Sequence, residues 1–259
     1  MSLKKTAVDA AKEAGSFIKR RLGKIREISF KGEINLVTDV DKKSEAIIMK
    51  RIKKDFPCHV FLAEESADTS AGNKAADYKW IIDPIDGTNN FAHSFPFFCV
   101  SIALEKNGKV VLGVVYDPIR DELFFAEENK GSYLNNKRIN VSSNKNLKGS
   151  LLATGFSYNI KTIKDNNLGH FAAFVQKAQG IRRLGAAALD ICYVACARLD
   201  GFWELDLHPW DTAAAYFILE QAGGKVTDFS ARKYSPYYRD VVASNGLIHE
   251  SMLKVIKES

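Results

Sequence analysis

The stretch Trp80-Ile-Ile-Asp-Pro-Ile-Asp-Gly-Thr88 decides how the rest of this chain is interpreted. Its apolar start predicts a short buried strand that brings Asp83 to the carboxyl end of a sheet. Pro84 predicts a tight turn directly after that strand, because proline fixes the backbone angle φ. Asp86 follows three residues after Asp83. Two carboxylates held on such a turn suit Mg²⁺, a hard ion that prefers oxygen ligands.

The end of the same stretch adds two kinds of group. The main-chain carbonyl of Ile85 would be a further oxygen ligand in the turn. Gly87 and Thr88 would begin a helix, and their free N–H groups would bind a phosphate there. A solvent-exposed turn explains the same residues, since Asp, Pro and Gly are common in turns. An Asp-x-x-Asp pair therefore leaves both interpretations open.

Two other places repeat the pattern of an acidic residue at the end of an apolar element. Glu64 and Glu65 follow the apolar run Val60 to Ala63, and Asp211 stands at the start of an apolar helix. In isolation, the glutamates also fit an exposed loop and Asp211 also fits a helix cap. Clustered carboxylates need compensation, and a divalent cation supplies it. Three such acidic sites favour a shared metal centre over three coincidences.

The rest of the chain predicts a mixed α and β protein. Apolar residues at helical spacing predict amphipathic helices near residues 3–22 and 40–56. An Asn-Gly pair at 107–108 predicts a hairpin, and an antiparallel meander follows it to residue 127. Beyond residue 150, predicted strands and helices alternate, which indicates an α/β unit. The predicted elements there are strands at 151–154, 202–205, 225–228 and 240–243, and helices at 168–178, 186–198, 210–222 and 247–257.

Composition and charge restrict the function classes. The chain has 259 residues, of which 46% are hydrophobic and 26% charged, as in ordinary globular domains. It has no apolar run of the roughly 18 residues that a membrane span needs, and no signal core, so we expect a cytoplasmic protein. The P-loop, zinc-protease, serine-hydrolase elbow and dinucleotide-binding motifs are missing from the sequence.

The net charge of +6 is concentrated at the amino terminus. Residues 1–54 contain 15 Lys and Arg and 7 Asp and Glu, a balance of +8, and the remaining residues balance at −2. Such a segment would attract a nucleic acid or a protein partner. The bland alternative is a solvated helix face, because acidic residues are interleaved with the basic ones.

Three motifs together resemble the inositol monophosphatase family. They are Ala63-Glu-Glu-Ser66, the stretch from Asp83 to Thr88, and Trp210-Asp211 followed by Ala222-Gly-Gly224. The resemblance covers nearly the whole chain, in order. It implies an α/β layered sandwich (α-β-α-β-α), with an antiparallel sheet in the first half and an α/β unit in the second. The polar segment at residues 142–148 indicates a boundary between an N-terminal subdomain, residues 1–145, and a C-terminal subdomain, residues 146–259.

The resemblance also implies an activity. Members are Mg²⁺-dependent, lithium-sensitive phosphatases that are commonly homodimers, with two to three Mg²⁺ ions in each active site. We therefore expect a homodimer that hydrolyses a small phosphorylated polyol or sugar, inositol 1-phosphate first. Fructose 1,6-bisphosphate, histidinol phosphate and a nucleotide phosphate remain alternative substrates, because the motifs do not separate them.

The family's functional residues transfer to matching positions of this chain. The implied metal ligands are Glu64, Asp83, the carbonyl of Ile85, Asp86 and Asp211. Implied catalytic residues are Glu64, Asp83, Thr88, which positions the attacking water, and Asp41, which supports Thr88. Implied substrate contacts are Lys31, Asp86, Gly87, Thr88, Ala187, Glu204 and Asp211.

Some of these residues also suit structural roles. Asp41 fits a helix start with Thr38, Lys31 fits a solvated loop, and Glu204 fits a strand position that faces water.

The chain departs from the common family pattern at four positions. Ala63, Asn89, Ala186 and Ala215 stand where Gly, Thr, Ser or Thr, and Gly are frequent. None of these changes removes an implied metal ligand. Ala186 adjoins the implied substrate pocket, so the departure bears on the substrate and leaves the chemistry in place.

Overall fold

A computed structural model describes residues 2–24, 29–30, 36–37, 39–66, 77–164 and 166–259. The described residues form seven α-helices and fourteen strands. The helices are α1 Leu3–Lys19, α2 Asp39–Asp55, α3 Thr88–Ala92, α4 Leu168–Val175, α5 Ala187–Ala195, α6 Pro209–Gln221 and α7 His249–Glu258. The strands are β1 Ser29–Phe30, β2 Leu36–Val37, β3 Val60–Ala63, β4 Tyr78–Asp86, β5 Cys99–Lys106, β6 Lys109–Asp117, β7 Glu122–Glu127, β8 Gly131–Leu134, β9 Lys137–Ile139, β10 Leu151–Thr154, β11 Gly180–Arg182, β12 Gly201–Leu205, β13 Lys225–Thr227 and β14 Asp240–Ser244.

The larger sheet contains seven strands in the order in which they occur in the chain, β3 to β9. Strands β3 and β4 are parallel, and every later pair is antiparallel. Alternate residues of β5 enter different apolar clusters: Val100 and Ile102 lie in one, and Cys99 and Ala103 lie in the other. Both faces of this sheet are therefore buried.

The smaller sheet has five strands in the order β11-β10-β12-β14-β13. Strand β10 pairs in parallel with β11 and β12, whereas β14 is antiparallel to both β12 and β13. A separate two-stranded pair joins β1 to β2. The strands of the large sheet lie between residues 60 and 139, and those of the small sheet lie between residues 151 and 244. The predicted subdomain boundary at residue 145 falls between these two ranges.

Five layers result from the way these elements pack. Helices α1 and α2 cover one face of the large sheet, and α5 and α6 lie between the two sheets. Helices α4 and α7 cover the outer face of the small sheet, where Trp203 and Phe174 stack with ring centroids 4.0 Å apart. The predicted α-β-α-β-α sandwich is confirmed.

The structure corrects the sequence analysis in detail. Strand β4 does not end in a turn at Pro84 but continues to Asp86 through a β-bulge, because Asp83 faces Ser101 and Asp86 faces Cys99. The bulge accommodates a proline, which has no N–H to give to the ladder. The first-half sheet is not wholly antiparallel, and strands β8, β9 and β11 were not predicted. Within the described residues, no helix is long and apolar enough to span a membrane.

Candidate active site

A cavity of about 640 Å³ lies where the carboxyl end of β4 meets the amino-terminal ends of α5 and α6. Both halves of the chain line it. The first half contributes Glu64 and the run from Ile85 to Asn89 together with Asp83, and the second contributes Glu204 and Asp211. Acidic residues that lie up to 147 positions apart therefore share one cavity.

Asp83 is the most enclosed of the cavity's acidic residues, with 2% of its surface exposed. Its Oδ1 accepts a hydrogen bond of 2.9 Å from the Ile85 amide, across the bulge of β4. Burial raises the pKa of Asp83 well above its usual value, and the charges of Glu64, Asp86, Asp211 and Asp41 raise it further. All four carboxylates are thus close enough to Asp83 to repel its negative charge.

Asp86 is held by the start of a helix from the other half of the chain. The amides of Ala187 and Ala188, the first two residues of α5, donate to its two carboxylate oxygens at 3.2 and 2.8 Å. A helix amino terminus favours a negative charge in this place. Burial nevertheless raises the pKa of Asp86 to about 7, with repulsion by Asp211 as the next cause.

Thr88 connects the bulge of β4 to helix α2. Its hydroxyl lies 3.0 Å from a carboxylate oxygen of Asp41 and 3.0 Å from the carbonyl oxygen of Ile85. Asp41 is fully buried on α2. A hydroxyl has one proton to donate, so it serves one of these acceptors at a time. Gly87 precedes Thr88 with φ of +96°, where a side chain would also press on the carbonyls of Phe97 and Gly185.

Asp211 and Glu64 occupy element ends, as predicted. Asp211 lies in the first turn of α6, and its Oδ2 accepts a 2.7 Å hydrogen bond from the His208 amide. It therefore caps the helix and also lines the cavity. Glu64 follows β3, where the Glu65 amide donates to Glu45 of α2 at 2.8 Å and fixes this corner.

Glu204 lies on β12, on the side of the cavity formed by the second half of the chain. It is 9% exposed, so it does not face open solvent. Burial raises the pKa of Glu204 to about 8; Asp211 contributes to the rise, and the positive charge of Arg183 opposes it. Arg183 lines the same cavity.

The donor set of this cavity fits a hard divalent cation. Carboxylates and one main-chain carbonyl are the ligands that Mg²⁺ takes, and a cation would relieve their mutual repulsion. Over the described part of the chain, no three His, Cys, Asp or Glu side chains are already grouped closely enough to hold a metal ion. The fit therefore rests on donor chemistry and electrostatics.

Comparison with known proteins identifies the family. The model of the inositol monophosphatase family matches residues 1–259. The chain belongs to the inositol monophosphatase family. An inositol-1-monophosphatase of Synechocystis sp. is 43% identical over 252 residues, which are 96% of this chain and 87% of the relative. A Nus factor SuhB of Pseudomonas aeruginosa is 40% identical over 255 residues, 97% of this chain and 94% of the relative.

A solved structure agrees with this assignment. The inositol monophosphatase from Anabaena (Nostoc) sp. superposes with a TM-score of 0.89 at 41% identity, over 98% of this chain and 94% of that one. Members of the inositol monophosphatase family are phosphoric monoester hydrolases, and this chain is one of them. The family depends on a metal ion and acts on phosphorylated substrates.

Most residues that the family resemblance singled out lie around this one cavity. Glu64, Asp83, Ile85, Asp86, Gly87, Thr88, Ala187, Glu204 and Asp211 line it. Asp41 lies behind Thr88, and Lys31 lies outside the described residues, as does Thr38. Ala187 has its amide on Asp86, so its described contact orients a carboxylate.

Sequence reasoning missed other residues of the cavity. The Ala188 amide acts through its main chain, which no side-chain pattern reveals. Gly155 and Tyr158 line the cavity without belonging to a motif. Arg183 also lines the cavity, and it carried one signal, because it begins the run Arg183-Leu-Gly-Ala186 that precedes the implied substrate contact Ala187.

Proposed function

We propose that this chain catalyses the Mg²⁺-dependent hydrolysis of a small polyol phosphate, with inositol 1-phosphate as the first candidate. The observation that carries the proposal is that buried Asp83 is repelled by four other carboxylates, of which Glu64, Asp86 and Asp211 line the same cavity. The clustered carboxylates would attract a divalent cation, which in turn would bind a phosphate group in the cavity. The Synechocystis relative bears the name inositol-1-monophosphatase, which supports the choice of substrate.

Bound Mg²⁺ would lower the pKa of a water, neutralise phosphate oxygens and stabilise the leaving alkoxide. Glu64, Asp83, the carbonyl of Ile85, Asp86 and Asp211 would hold two to three ions. Within the chain itself, Ala187 and Ala188 orient Asp86, and the bulged end of β4 brings Asp83 and Ile85 to the lining of the cavity.

The hydroxyl of Thr88 would orient the attacking water. With its proton directed to Asp41 or to Ile85, its oxygen is left as an acceptor for the water's hydrogen. The amides of Gly87 and Thr88 would contact the phosphate, and Lys31 would approach it from outside the described residues. Ala187, Glu204, Asp86 and Asp211 would contact the hydroxyl groups of the polyol.

The experiment that tests this function measures phosphate release from a panel of substrates. The panel contains inositol 1-phosphate, fructose 1,6-bisphosphate, histidinol phosphate, NADP and adenosine 3′,5′-bisphosphate, each with Mg²⁺, with EDTA and with added Li⁺. We expect Mg²⁺-dependent, Li⁺-inhibited release that is fastest from inositol 1-phosphate. Faster release from another member would move the assignment to that alternative substrate, and no Mg²⁺ dependence would reject the metal mechanism.

A variant of Asp83 tests the metal assignment directly. Asp83→Asn should lower kcat by about 1000-fold or more, because it removes a buried carboxylate that would hold Mg²⁺. The amide keeps the acceptor for the Ile85 N–H, so the fold should remain, as circular dichroism would check. Asp9→Asn is the matched control, since Asp9 pairs with Lys5 and Arg51 on the surface outside the cavity. Near-normal turnover by Asp83→Asn would contradict the assignment.

A second candidate function is a binding role for the basic amino-terminal segment, alone or in addition to catalysis. It is favoured by the +8 balance of residues 1–54 and by the name Nus factor SuhB of a relative at 40% identity. Against it, Arg51 is paired with Asp9 and Asp55, and Lys5 with Asp9. RNA binding that weakens steeply with salt would support it.

The homodimer and the cytoplasmic location remain predictions. Analytical ultracentrifugation would check the homodimer, and cell fractionation would check the location.

A further inference from the structure

We infer that Gly155 is a positioning residue, whose missing side chain leaves the space that the Glu204 carboxylate occupies in the cavity. Through Glu204, Gly155 sets the preference of the site for phosphates whose leaving group carries hydroxyls. The inference rests on the proposed function, because it concerns the side of the cavity that would receive the polyol.

The geometry at Gly155 is unusually close. A Cβ atom there would lie 2.1 Å from Oε1, 2.2 Å from Oε2 and 2.3 Å from Cδ of Glu204. The carboxylate therefore lies flat against the main chain of residue 155. The backbone of Gly155 is outside the left-handed region, so alanine could adopt its conformation. The obstacle to a side chain is the Glu204 carboxylate.

Strand register explains why these two residues meet. Strands β10 and β12 are parallel neighbours, with Thr154 opposite Trp203. Gly155 directly follows Thr154, and Glu204 directly follows Trp203, so these two residues lie side by side at the end of the sheet. The hydroxyl of Thr154 donates a 2.6 Å hydrogen bond to the Trp203 carbonyl, which joins the two strands at the residues directly before Gly155 and Glu204.

A buried asparagine prevents the main chain from yielding. Asn167, 2% exposed, donates to the Gly155 carbonyl at 2.7 Å and to the Thr154 hydroxyl at 2.9 Å. Its Oδ1 accepts from the indole N–H of Trp203 at 2.7 Å. Both strand ends are thus fixed by one side chain. A methyl group at residue 155 would be accommodated by movement of the flexible end of Glu204 instead.

Gly155→Ala should weaken the preference for inositol 1-phosphate over a phosphate without hydroxyl groups, and it should change the free energy of unfolding little. Moving the carboxylate removes one contact to a substrate hydroxyl and leaves Asp83, Asp86 and Asp211 in place. Gly155→Ala should lower kcat/KM for inositol 1-phosphate about tenfold or more relative to kcat/KM for p-nitrophenyl phosphate, whose leaving group has no such hydroxyls. The change should appear mainly in KM.

The experiment compares both substrates in the wild type, Gly155→Ala, Glu204→Ala and the double variant, each checked for thermal unfolding. Gly149→Ala is the matched control, since residue 149 is exposed and the nearest atom to its Cβ would be 4.0 Å away. If Gly155 acts through Glu204, Gly155→Ala should cost nothing further in the Glu204→Ala background. A purely structural role would cost the same in both backgrounds.

Each other outcome overturns the inference in a recognisable way. Three results would show that Glu204 does not move to accommodate the methyl group. They are an unchanged ratio of the two kcat/KM values in Gly155→Ala, an equal loss of that ratio in the wild-type and Glu204→Ala backgrounds, and loss of folding. A wild type with no preference for inositol 1-phosphate would instead reject the proposed function. The two failures are therefore distinguished by the wild-type measurement.

Discussion

His249 shows how a single buried residue links hydrogen bonding to pH. It is fully buried, with Nε2 3.0 Å from the Thr227 hydroxyl and Nδ1 2.8 Å from the Ser244 hydroxyl. Thr227 donates its proton to the Asp228 carbonyl, so Nε2 must carry the hydrogen and Nδ1 must accept from Ser244. The contacts therefore select one neutral tautomer.

Protonation of His249 is unfavourable because it would place a positive charge in a buried position, and the Ser244 hydroxyl would have to turn from donating to Nδ1 to accepting from it. Burial lowers the pKa of His249 to about 4, from an ordinary value of 6.5. Below pH 6.5 His249 is therefore protonated in the unfolded chain, whereas in the folded chain it stays neutral until the pH falls to about 4. Its contribution to the free energy of unfolding is present above pH 6.5 and is lost as the pH falls, to a limit of about 3 kcal/mol.

We predict that His249→Gln removes this part of the pH dependence. Urea unfolding between pH 7 and pH 4.5 should show a stability decrease in the wild type that is smaller in the variant. His93→Gln is the control, because His93 is exposed. Equal pH slopes in the wild type and His249→Gln would show that the histidine is not the cause.

The candidate site could be predicted in part at this scale. Glu64 and Asp83 stand out because each follows an apolar run, and Asp211 stands out because it begins an apolar helix; all three line one cavity. The amides that hold Asp86 could not be predicted, because they lie 101 and 102 residues away and are main-chain groups. Gly155 gave no signal either, since its role depends on the register of two strands.

At the scale of elements, the close approach of α6 to the large sheet is decided by a glycine. A Cβ at Gly113 of β6 would lie 2.5 Å from the Ala214 carbonyl oxygen and 3.2 Å from the Ala214 Cα. The central residues of α6 that are buried here include three successive alanines, Ala213 to Ala215. Small residues on both sides allow the helix to lie directly on the sheet.

Gly113→Ala should therefore destabilise the fold by about 1–3 kcal/mol, the usual cost of overpacking. The obstructing atoms belong to a helix backbone, which cannot swing aside as the Glu204 carboxylate can. The midpoint of urea unfolding measures the effect. Gly169→Ala is the control. Gly169 lies in the first turn of α4, and a Cβ there would be 3.9 Å from its nearest neighbour, the main-chain carbon of Ser259. A similar midpoint for both variants would contradict the argument.

Element positions followed from the sequence where the local signals were strong. The hairpin at Asn107-Gly108 and the strand at 151–154 were predicted, because turn residues and apolar runs mark them. The continuation of β4 past Pro84 was missed, since a proline in a bulge and a proline in a turn have the same local pattern.

At the scale of the whole molecule, the site exists only when both halves are folded. Asp83 and Asp86 come from the large sheet, and Asp211 and Glu204 come from elements beyond residue 200. The strand order β11-β10-β12-β14-β13 that places them cannot be deduced from hydrophobic periodicity, and the five layers were predicted from the family resemblance. A ligand that joins these residues will bind the folded chain and not the unfolded one.

Mg²⁺ should consequently stabilise the folded protein, apart from any effect on turnover. At 100 times its dissociation constant, one ion would add about 2.7 kcal/mol to the free energy of unfolding, which raises Tm by about 5 °C or more in a chain of this size. Without the ion, Asp83→Asn should be more stable than the wild type, because it removes a buried carboxylate that four others repel. With the ion, the variant should gain little. Thermal unfolding with Mg²⁺ and with Na⁺ at equal ionic strength makes the comparison, and the same Mg²⁺ gain in both proteins would show that the ion binds elsewhere.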